Sequence, residues 1–445
     1  AVVMYPIYYP TIVDIGWQVV VLLITLFLAC MVCHGELAMS RPPSAQLTWF
    51  YLATGAGGAV GGLLVTLVAP AIFSGSWEYH LGLLATCVLA SRQLWRSRPA
   101  HWPQRSATYT RWATIAVCLA LAVTLTVECL HQRRTSIDAA RSFYGTVRIV
   151  NETDAVGRPL RVMLHGSTEH GAQYALPELA GMPTTYYGHG SGIATVVGSR
   201  SPWRQASPDD PFRVGVIGLG TGTIAGYGMP GDTFRFYEID REVVRLARKY
   251  FDFTPPGVDV EYVLGAARVS LEREAGAGER QRFDVLAIDA FTSDAVPVHL
   301  LTAQAFAVYL QHLEPDGVIA FHISNRYLEL SGVIRGLAEA HGFDAVRVMR
   351  EEEPALAIYG SEWVLVTRNR RPRTIDRLTR VATDWTRRDP TPVLWTDDHA
   401  SIVPLIFARA RRAIAAPVAA MHASRPAASG SSSGNPTPPS PPISR

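Results

Sequence analysis

The apolar residues of this chain are segregated: long hydrophobic runs fill the segment before residue 131, and no run of that length recurs after it. A stretch of about twenty apolar residues can satisfy its backbone in lipid only as a helix, so the segregation dictates what the N-terminal region folds into. Ile15 to Cys33, with Trp17 near its start as an interfacial anchor, is one such stretch, and Leu47 to Phe73 is a second. Gly55, Gly58, Gly61 and Gly62 give the second a small-residue face of the kind that packs on another helix. Tyr79 to Ala90 is a shorter third candidate, and Trp112 to Leu130, with Glu128 near its end, is a full-length fourth. The expectation is about four transmembrane helices over residues 1–135, giving a multi-pass protein of the cell (inner) membrane with the lipid bilayer as a partner. The chain opens at Ala1 with no basic stretch ahead of the first apolar run, which argues against a secretory leader there and leaves room for spans upstream.

Arginine placement bears on orientation but does not fix it. Arg92, Arg96, Arg98, Arg105 and Arg111 crowd the loop before the last helix, and Arg133 and Arg134 follow that helix. If four helices cross, this loop and the loop carrying Arg41 share the cytoplasmic side, which puts the large domain outside. If the short third segment does not cross, the two loops part company. The side of the soluble domain is therefore left open.

Several mechanisms are excluded by residue type. Lys249 is the only lysine, which removes a Walker-type phosphate loop and a Schiff-base lysine. The formal net charge is +3, and no basic stripe interleaved with aromatics follows residue 140, so nucleic acid is not an expected partner. All five cysteines, Cys30, Cys33, Cys87, Cys118 and Cys129, fall in the apolar segments, so the soluble part has no disulfide framework. Cys30 and Cys33, followed by His34, read as two small lipid-facing or packed residues.

After the helices the pattern changes twice. Residues 136–200 hold short β-rich stretches with turn residues, such as Tyr144 to Val150 and Ile193 to Val197, and read as a small β-domain. Over residues 201–416 apolar strands alternate with amphipathic helices. The strand candidates are Val214 to Ile217, Phe234 to Tyr237, Val260 to Val263, Val285 to Ile288, Val318 to Ile323, Ala345 to Val348 and Trp363 to Val366. Such alternation predicts an α/β fold with a mainly parallel, Rossmann-like sheet of the class I methyltransferase type. Residues 417–445, rich in Ser, Pro, Ala and Gly, cannot bury a core and read as a disordered tail.

The chemistry-bearing signal is V-G-V-I-G-L-G-T-G-T at residues 214 to 223, followed by F-R-F-Y-E-I-D at 234 to 240. Gly218, Gly220 and Gly222 let the chain turn sharply after the first strand and let a cofactor approach the backbone at a helix N-terminus. Glu238 ends the second strand roughly twenty residues on, where a carboxylate accepts from both ribose hydroxyls. Together they point to a nucleoside ligand. At the end of the fourth strand stands L-A-I-D-A-F-T-S-D-A-V-P-V-H-L-L-T, residues 286 to 302. Ligands of open parallel sheets bind outside the strands' carboxyl ends, so Asp289 and Asp294 should face the cofactor, although Asp294 reads equally as a helix cap. His165, His170, His189 and His299 read as structural or substrate-side residues, and no metal is expected. Asp397, in the T-D-D of residues 396 to 398, either holds an amine or caps the following helix.

Phe143 to Phe407 resembles the spermidine synthase family of aminopropyltransferases, and more closely its bacterial membrane-fused branch. The residues that carry the resemblance are F-Y-G-T-V-R at 143 to 148, L-H-G-S-T-E-H-G-A-Q at 164 to 173 and P-T-T-Y-Y-G-H-G-S-G-I-A at 183 to 194. It continues through the glycine turn, F-Y-E-I-D and D-A-F-T-S-D-A-V-P-V-H-L-L-T to W-T-D-D-H-A at 395 to 400. The resemblance implies a small β-domain ahead of a methyltransferase-like Rossmann domain, with decarboxylated S-adenosylmethionine or S-adenosylmethionine as co-substrate and a small-molecule amine as acceptor. By the same analogy Asp289 is the catalytic carboxylate, Glu238 the ribose-binding acid and Gln173 a residue near the cofactor. Tyr186 and Tyr187, with His189, stand where the family holds its diamine segment, and Asp294 and Asp397 are further substrate-side candidates. A second copy of the chain, as a homodimer, is an allowed partner.

The departures from the family bear on substrate rather than fold. Thr221 stands where the family's glycine turn carries an aspartate, Ile217 where an ordinary methyltransferase carries an acid, and Ala266 where the family's adenine-contacting aspartate lies. Three readings follow: a transferase of an aminopropyl or related alkyl group, an S-adenosylmethionine-dependent methyltransferase, and a non-catalytic nucleoside- or polyamine-binding membrane transport or sensing protein.

Overall fold

The computed structural model describes residues 15–96, 104–166, 168–199, 201–204, 211–290, 297–325, 328–386 and 389–405. The N-terminal region is helical: α1 (Ile15–Met39), α2 (Leu47–Leu63), α3 (Trp77–Arg96) and α4 (Gln104–Thr135). α2 runs on through a π-helical turn, Leu64–Val68, into Ala69–Ile72. Pro70 explains that turn, because it has no N–H to donate and its ring displaces the carbonyl four residues back, which a locally widened helix tolerates.

Among the described residues three helical segments are long and apolar enough to cross a membrane, Gly16–Met39, Ser44–Ile72 and Thr108–Thr135. The third expected span, at Tyr79 to Ala90, does form a helix, α3. Glu78, His80, Arg92 and Arg96 lie in it, and its composition does not reach that of the other three. Trp17, Phe27, Trp49 and Leu67 each expose more than 60% of their surface, the arrangement a lipid-facing helix needs and a water-facing one would be penalised for.

α4 passes into the first strand without a linker: it ends at Thr135, and β1 (Ser136–Ser142) begins at the next residue. β1 pairs in an antiparallel meander with β2 (Gly145–Thr153), β3 (Pro159–His165) and β4 (Thr168–Tyr174), in spatial order β1-β2-β3-β4. The Arg141 guanidinium forks onto Glu78 at 2.6 and 2.7 Å and donates to the Gly75 carbonyl at 2.7 Å, fastening β1 to the start of α3. Ile193 to Val197 is not a strand but lies in a short helix, α5 (Gly192–Val197), whose Ser191 hydroxyl accepts from the Ala194 N–H. The β-branched residues there are outweighed by that cap and by packing. A Cβ on Gly192 would stand 2.3 Å from Cβ of Trp363, so only glycine fits against this tryptophan.

The main domain is a seven-stranded sheet in the order β10-β11-β9-β8-β5-β6-β7. Its strands are β5 (Arg213–Ile217), β6 (Thr233–Glu238), β7 (Asp259–Leu264), β8 (Phe283–Ile288), β9 (Leu313–His322), β10 (Asp344–Arg350) and β11 (Ser361–Thr367). β5 to β9 run parallel, and β11 is reversed against both β9 and β10. The intervening helices include α6 (Arg241–Tyr250), α7 (Ala267–Gly276), α8 (Ala303–His312), α9 (Ser331–His341) and α10 (Pro372–Val381). Val214, Val216, Phe234 and Phe236 enter a core cluster shared with Val147, Ile149 and Met163 of the β-meander. Ile217, Tyr237, Leu286 and Ile288 enter a second cluster with Phe306 and Phe321. This alternation along strands buried on both faces makes the sheet rigid and leaves only its ends to carry chemistry. The strand order reverses between β5 and β8, and the crevice at their carboxyl ends is where a ligand fits such a sheet.

Candidate functional site

Gly218, Gly220 and Gly222 follow β5 with φ of 98°, 53° and 80°, in the left-handed region that glycine enters without strain. Two of them are also needed for space: a Cβ on Gly218 would meet the Asp289 carbonyl oxygen at 2.3 Å, and one on Gly220 the His170 carbonyl oxygen at 2.6 Å. Only a 3-10 segment, Thr223–Tyr227, follows the turn. The helix N-terminus expected after the glycines is thus a short 3-10 turn, and the glycine turn presents its own backbone instead.

Glu238 closes that turn. Its Oε2 accepts the Leu219 N–H at 3.0 Å and its Oε1 the Asp240 N–H at 2.9 Å, while burial raises the pKa of the carboxyl. Each carboxylate oxygen has two acceptor directions, so both can still take a hydroxyl. Beside it lies a cavity of about 240 Å³ whose walls include Gly218, Glu238, Ala266, Asp289 and His170. A larger cavity, about 530 Å³, sits at the opposite ends of the strands under Arg213, Asp284 and Gly317. The smaller one collects the motif residues and lies at the switch point, so it is the one the chemistry favours.

Asp289 stands one residue past β8, next to the end of β9, because Ile288 is paired with Phe321. His322 therefore falls beside it, and its Nδ1 lies 2.6 Å from Asp289 Oδ1. The Tyr187 hydroxyl donates to Asp289 Oδ2 at 2.7 Å. Burial, and after it the charge of Asp289, pushes the Tyr187 phenol well above its ordinary range, which keeps it a donor. His322 Nε2 lies 2.8 Å from the Ser324 hydroxyl, which itself accepts the Glu362 N–H at 2.7 Å. His322 Nδ1 is thus the ring nitrogen placed to donate to Asp289, and Nε2 the one facing Ser324. Register supplies the last member: Trp363 is the partner of His322 across β9 and β11, and its ring stacks on the imidazole at 4.6 Å and 15°.

An aromatic lining extends the cluster away from the glycine turn. The Tyr186 ring lies 5.3 Å from His322 and 5.4 Å from Tyr359. The Tyr359 hydroxyl donates to Glu169 Oε2 at 2.7 Å, and burial pushes the Glu169 carboxyl up to about 7. Two non-glycine residues with left-handed backbone, Thr185 (φ 52°) and Ala357 (φ 51°), sit on the segments carrying these tyrosines. They are locked by Thr185 N–H to Ala357 O at 2.7 Å and Tyr359 N–H to Thr185 O at 3.0 Å. Local strain held in place by surrounding bonds fits a site whose side chains must not move.

Of the residues singled out in the sequence, Gly218, Gly220, Glu238, Asp289, His165, His170 and His299 line the smaller cavity, with Tyr187 bonded to Asp289 and Tyr186 beside His322. Gln173 does not. Its amide donates to the Ala180 and Asp252 carbonyls and accepts the Asp252 N–H, which ties β4 to two loops and leaves the side chain outside the cavity lining. Asp397 is held apart by Arg268, which forks onto it at 2.8 and 2.7 Å and holds its carboxyl at about 2, with the Thr302 hydroxyl adding a third bond. Asp294 lies outside the described residues. His322, Trp363, Tyr359 and Glu169 extend the cluster around Asp289, and of these only Glu169 stands in a motif of the sequence. His322, at a strand end beside Asp289, was the one a strand-order argument could have found.

No family model matches the chain. It is 31% identical over 133 residues to the polyamine aminopropyltransferase of Vibrio vulnificus, covering 28% of this chain and 44% of that protein. It is also 33% identical over 108 residues to the N-terminal histidine N-methyltransferase of Emericella nidulans, covering 24% and 19%. The matches span less than half the length of these curated relatives. Among solved structures, a probable spermidine synthase from Corynebacterium glutamicum aligns over 53% of this chain and 83% of that one, at 18% identity and a TM-score of 0.39. The sequence matches support the resemblance to the spermidine synthase family.

Proposed function

We propose that this spermidine synthase-like chain is a membrane-anchored transferase that moves an aminopropyl or related alkyl group from an adenosyl sulfonium co-substrate to an amine. The observation that carries this reading is Asp289: a carboxylate at the switch point, held on both oxygens by Tyr187 and His322, beside a nucleoside-sized cavity closed by Glu238. In the proposed step the amine nitrogen forms a bond to the carbon beside the sulfonium, the carbon–sulfur bond breaks with its electrons, and a neutral thioether leaves. The proton lost by the nitrogen passes to Asp289. Charge is dispersed rather than created, so the residues act mainly by orientation, with Tyr187 and His322 fixing the carboxylate. The rings of Tyr186, Tyr187 and Tyr359 offer faces to a cationic amine, and Glu169 offers a second carboxyl at the far side.

Anchoring is proposed from the three long apolar helices, which would make this a multi-pass protein of the cell membrane. Methyl transfer from S-adenosylmethionine is the competing reading, and the similarity to a histidine N-methyltransferase favours it. The purified full chain, incubated with decarboxylated or ordinary S-adenosylmethionine and a panel of amines, decides between them by the mass added to the amine. Aminopropylation supports the proposal, a 14-dalton methyl gain the alternative, and nucleoside binding without product a non-catalytic role.

A further inference from the structure

One buried polar atom in the cavity has no use inside the protein. His170 Nε2 is out of reach of solvent and makes no hydrogen bond among the described residues, although it belongs to a side chain lining the cavity. A buried acceptor without a donor is costly, and native proteins keep few of them. His170 sits on β4 directly over the glycine turn, its carbonyl oxygen 2.6 Å from where a Cβ on Gly220 would be, while the next residue, Gly171, packs on Thr221. His170 lines the same cavity as Asp289, the residue proposed to take the proton. Burial, followed by the neighbouring His165, pushes the His170 pKa down to about 4, so the imidazole is neutral at neutral pH and, in its Nδ1–H tautomer, presents Nε2 as an acceptor.

Resting on the transferase reading above, we propose that His170 Nε2 accepts a hydrogen bond from the terminal ammonium of the co-substrate's side chain. Such an ammonium brings donors into a pocket where Tyr187 and His322 already take one acceptor direction of each Asp289 oxygen and the proposed reacting amine needs what is left. Neither Thr221, whose hydroxyl is paired with that of Thr223 at 2.8 Å, nor Ala266 offers a carboxylate for it. A neutral acceptor has a further advantage there, since it holds the ammonium without competing with Asp289 for the proton released by the acceptor amine. His170 is thus a binding residue that selects for the side chain rather than for the nucleoside.

The test is calorimetry on the full-length protein with two uncharged-sulfur probes, S-adenosyl-3-thiopropylamine and methylthioadenosine, which differ by the aminoalkyl extension. His170→Ala should weaken the amine-bearing probe by roughly 10- to 100-fold and methylthioadenosine by less than about 2-fold. His170→Gln, which keeps a neutral acceptor, should recover part of the loss. Equal weakening of both probes would show a merely structural histidine and overturn the proposal, as would unchanged binding of the amine-bearing probe. Failure of the unsubstituted protein to bind methylthioadenosine would instead overturn the nucleoside reading of the cavity, and the proposal with it.

Discussion

The glycine-turn side of the site, the half proposed to hold the nucleoside, takes its shape from the backbone of one turn and the end of one strand, whereas the Asp289 side, the half proposed to hold the amine, is made of side chains delivered by distant segments. Around Gly218 to Gly222 the decisive features are left-handed φ angles, close backbone approaches and one carboxylate gripping two backbone amides. Around Asp289 they are Tyr187, His322, Trp363, Tyr359 and Glu169, each held by a specific hydrogen bond or ring contact. A backbone-built pocket tolerates changes such as Thr221 and Ala266 and keeps its shape. A side-chain cluster depends on every member, so the two halves should fail in different ways.

The sharpest break between them is Asp289→Asn. It preserves shape but removes the charge and the base, so turnover should fall about 10²- to 10⁴-fold while nucleoside affinity measured by calorimetry stays within about 2-fold. Equal losses in both would merge the two halves. Glu238→Ala strikes the other half: it removes the ribose acceptor and frees two backbone amides, and it should weaken nucleoside binding by about 1.5–3 kcal/mol with the fold retained by circular dichroism.

Glu169 gives a pH test confined to the amine half. Because burial raises its pKa to about 7, the carboxylate fraction grows as pH rises through 7. The KM for a diamine should therefore drop several-fold between pH 6 and 8, and Glu169→Gln should flatten that dependence. The stability sign is opposite: the unfolded carboxyl ionises near 4.5 and the folded one near 7, so the protein loses stability as pH rises across that window. The smallest effect is expected at Ala266, which precedes α7 with no side-chain cap. Ala266→Asp should add about 1 kcal/mol of stability in thermal unfolding by capping the helix, and tighten adenosine binding if the adenine amine faces it.

The same division decided what could be read in the sequence. The central strands β5, β8, β9 and β11 are legible as apolar runs buried on both faces, β7 and β10 as shorter β-branched runs at the sheet's edges, and the glycine turn, Glu238 and Asp289 because they stand at strand ends. Ile193 to Val197 looked like a strand because its residues are β-branched, but the Ser191 cap and the fit of Gly192 on Trp363 belong to tertiary structure. The third apolar segment became a helix with a polar composition that the three longer ones lack. Gln173 and Asp397 carried the right chemistry and were claimed by backbone groups and by Arg268. His322 meets Asp289, and Trp363 stacks on His322, only because β8, β9 and β11 are neighbours, an order that no local pattern contains.

The central claim, that the two halves act together in alkyl transfer, is tested most directly by mass spectrometry of amines incubated with the full-length protein and decarboxylated S-adenosylmethionine. The account predicts an aminopropylated amine and methylthioadenosine in equal amounts, with both products lost in Asp289→Asn. Product formation undiminished by that substitution, or tight nucleoside binding with no product from any amine, would contradict it.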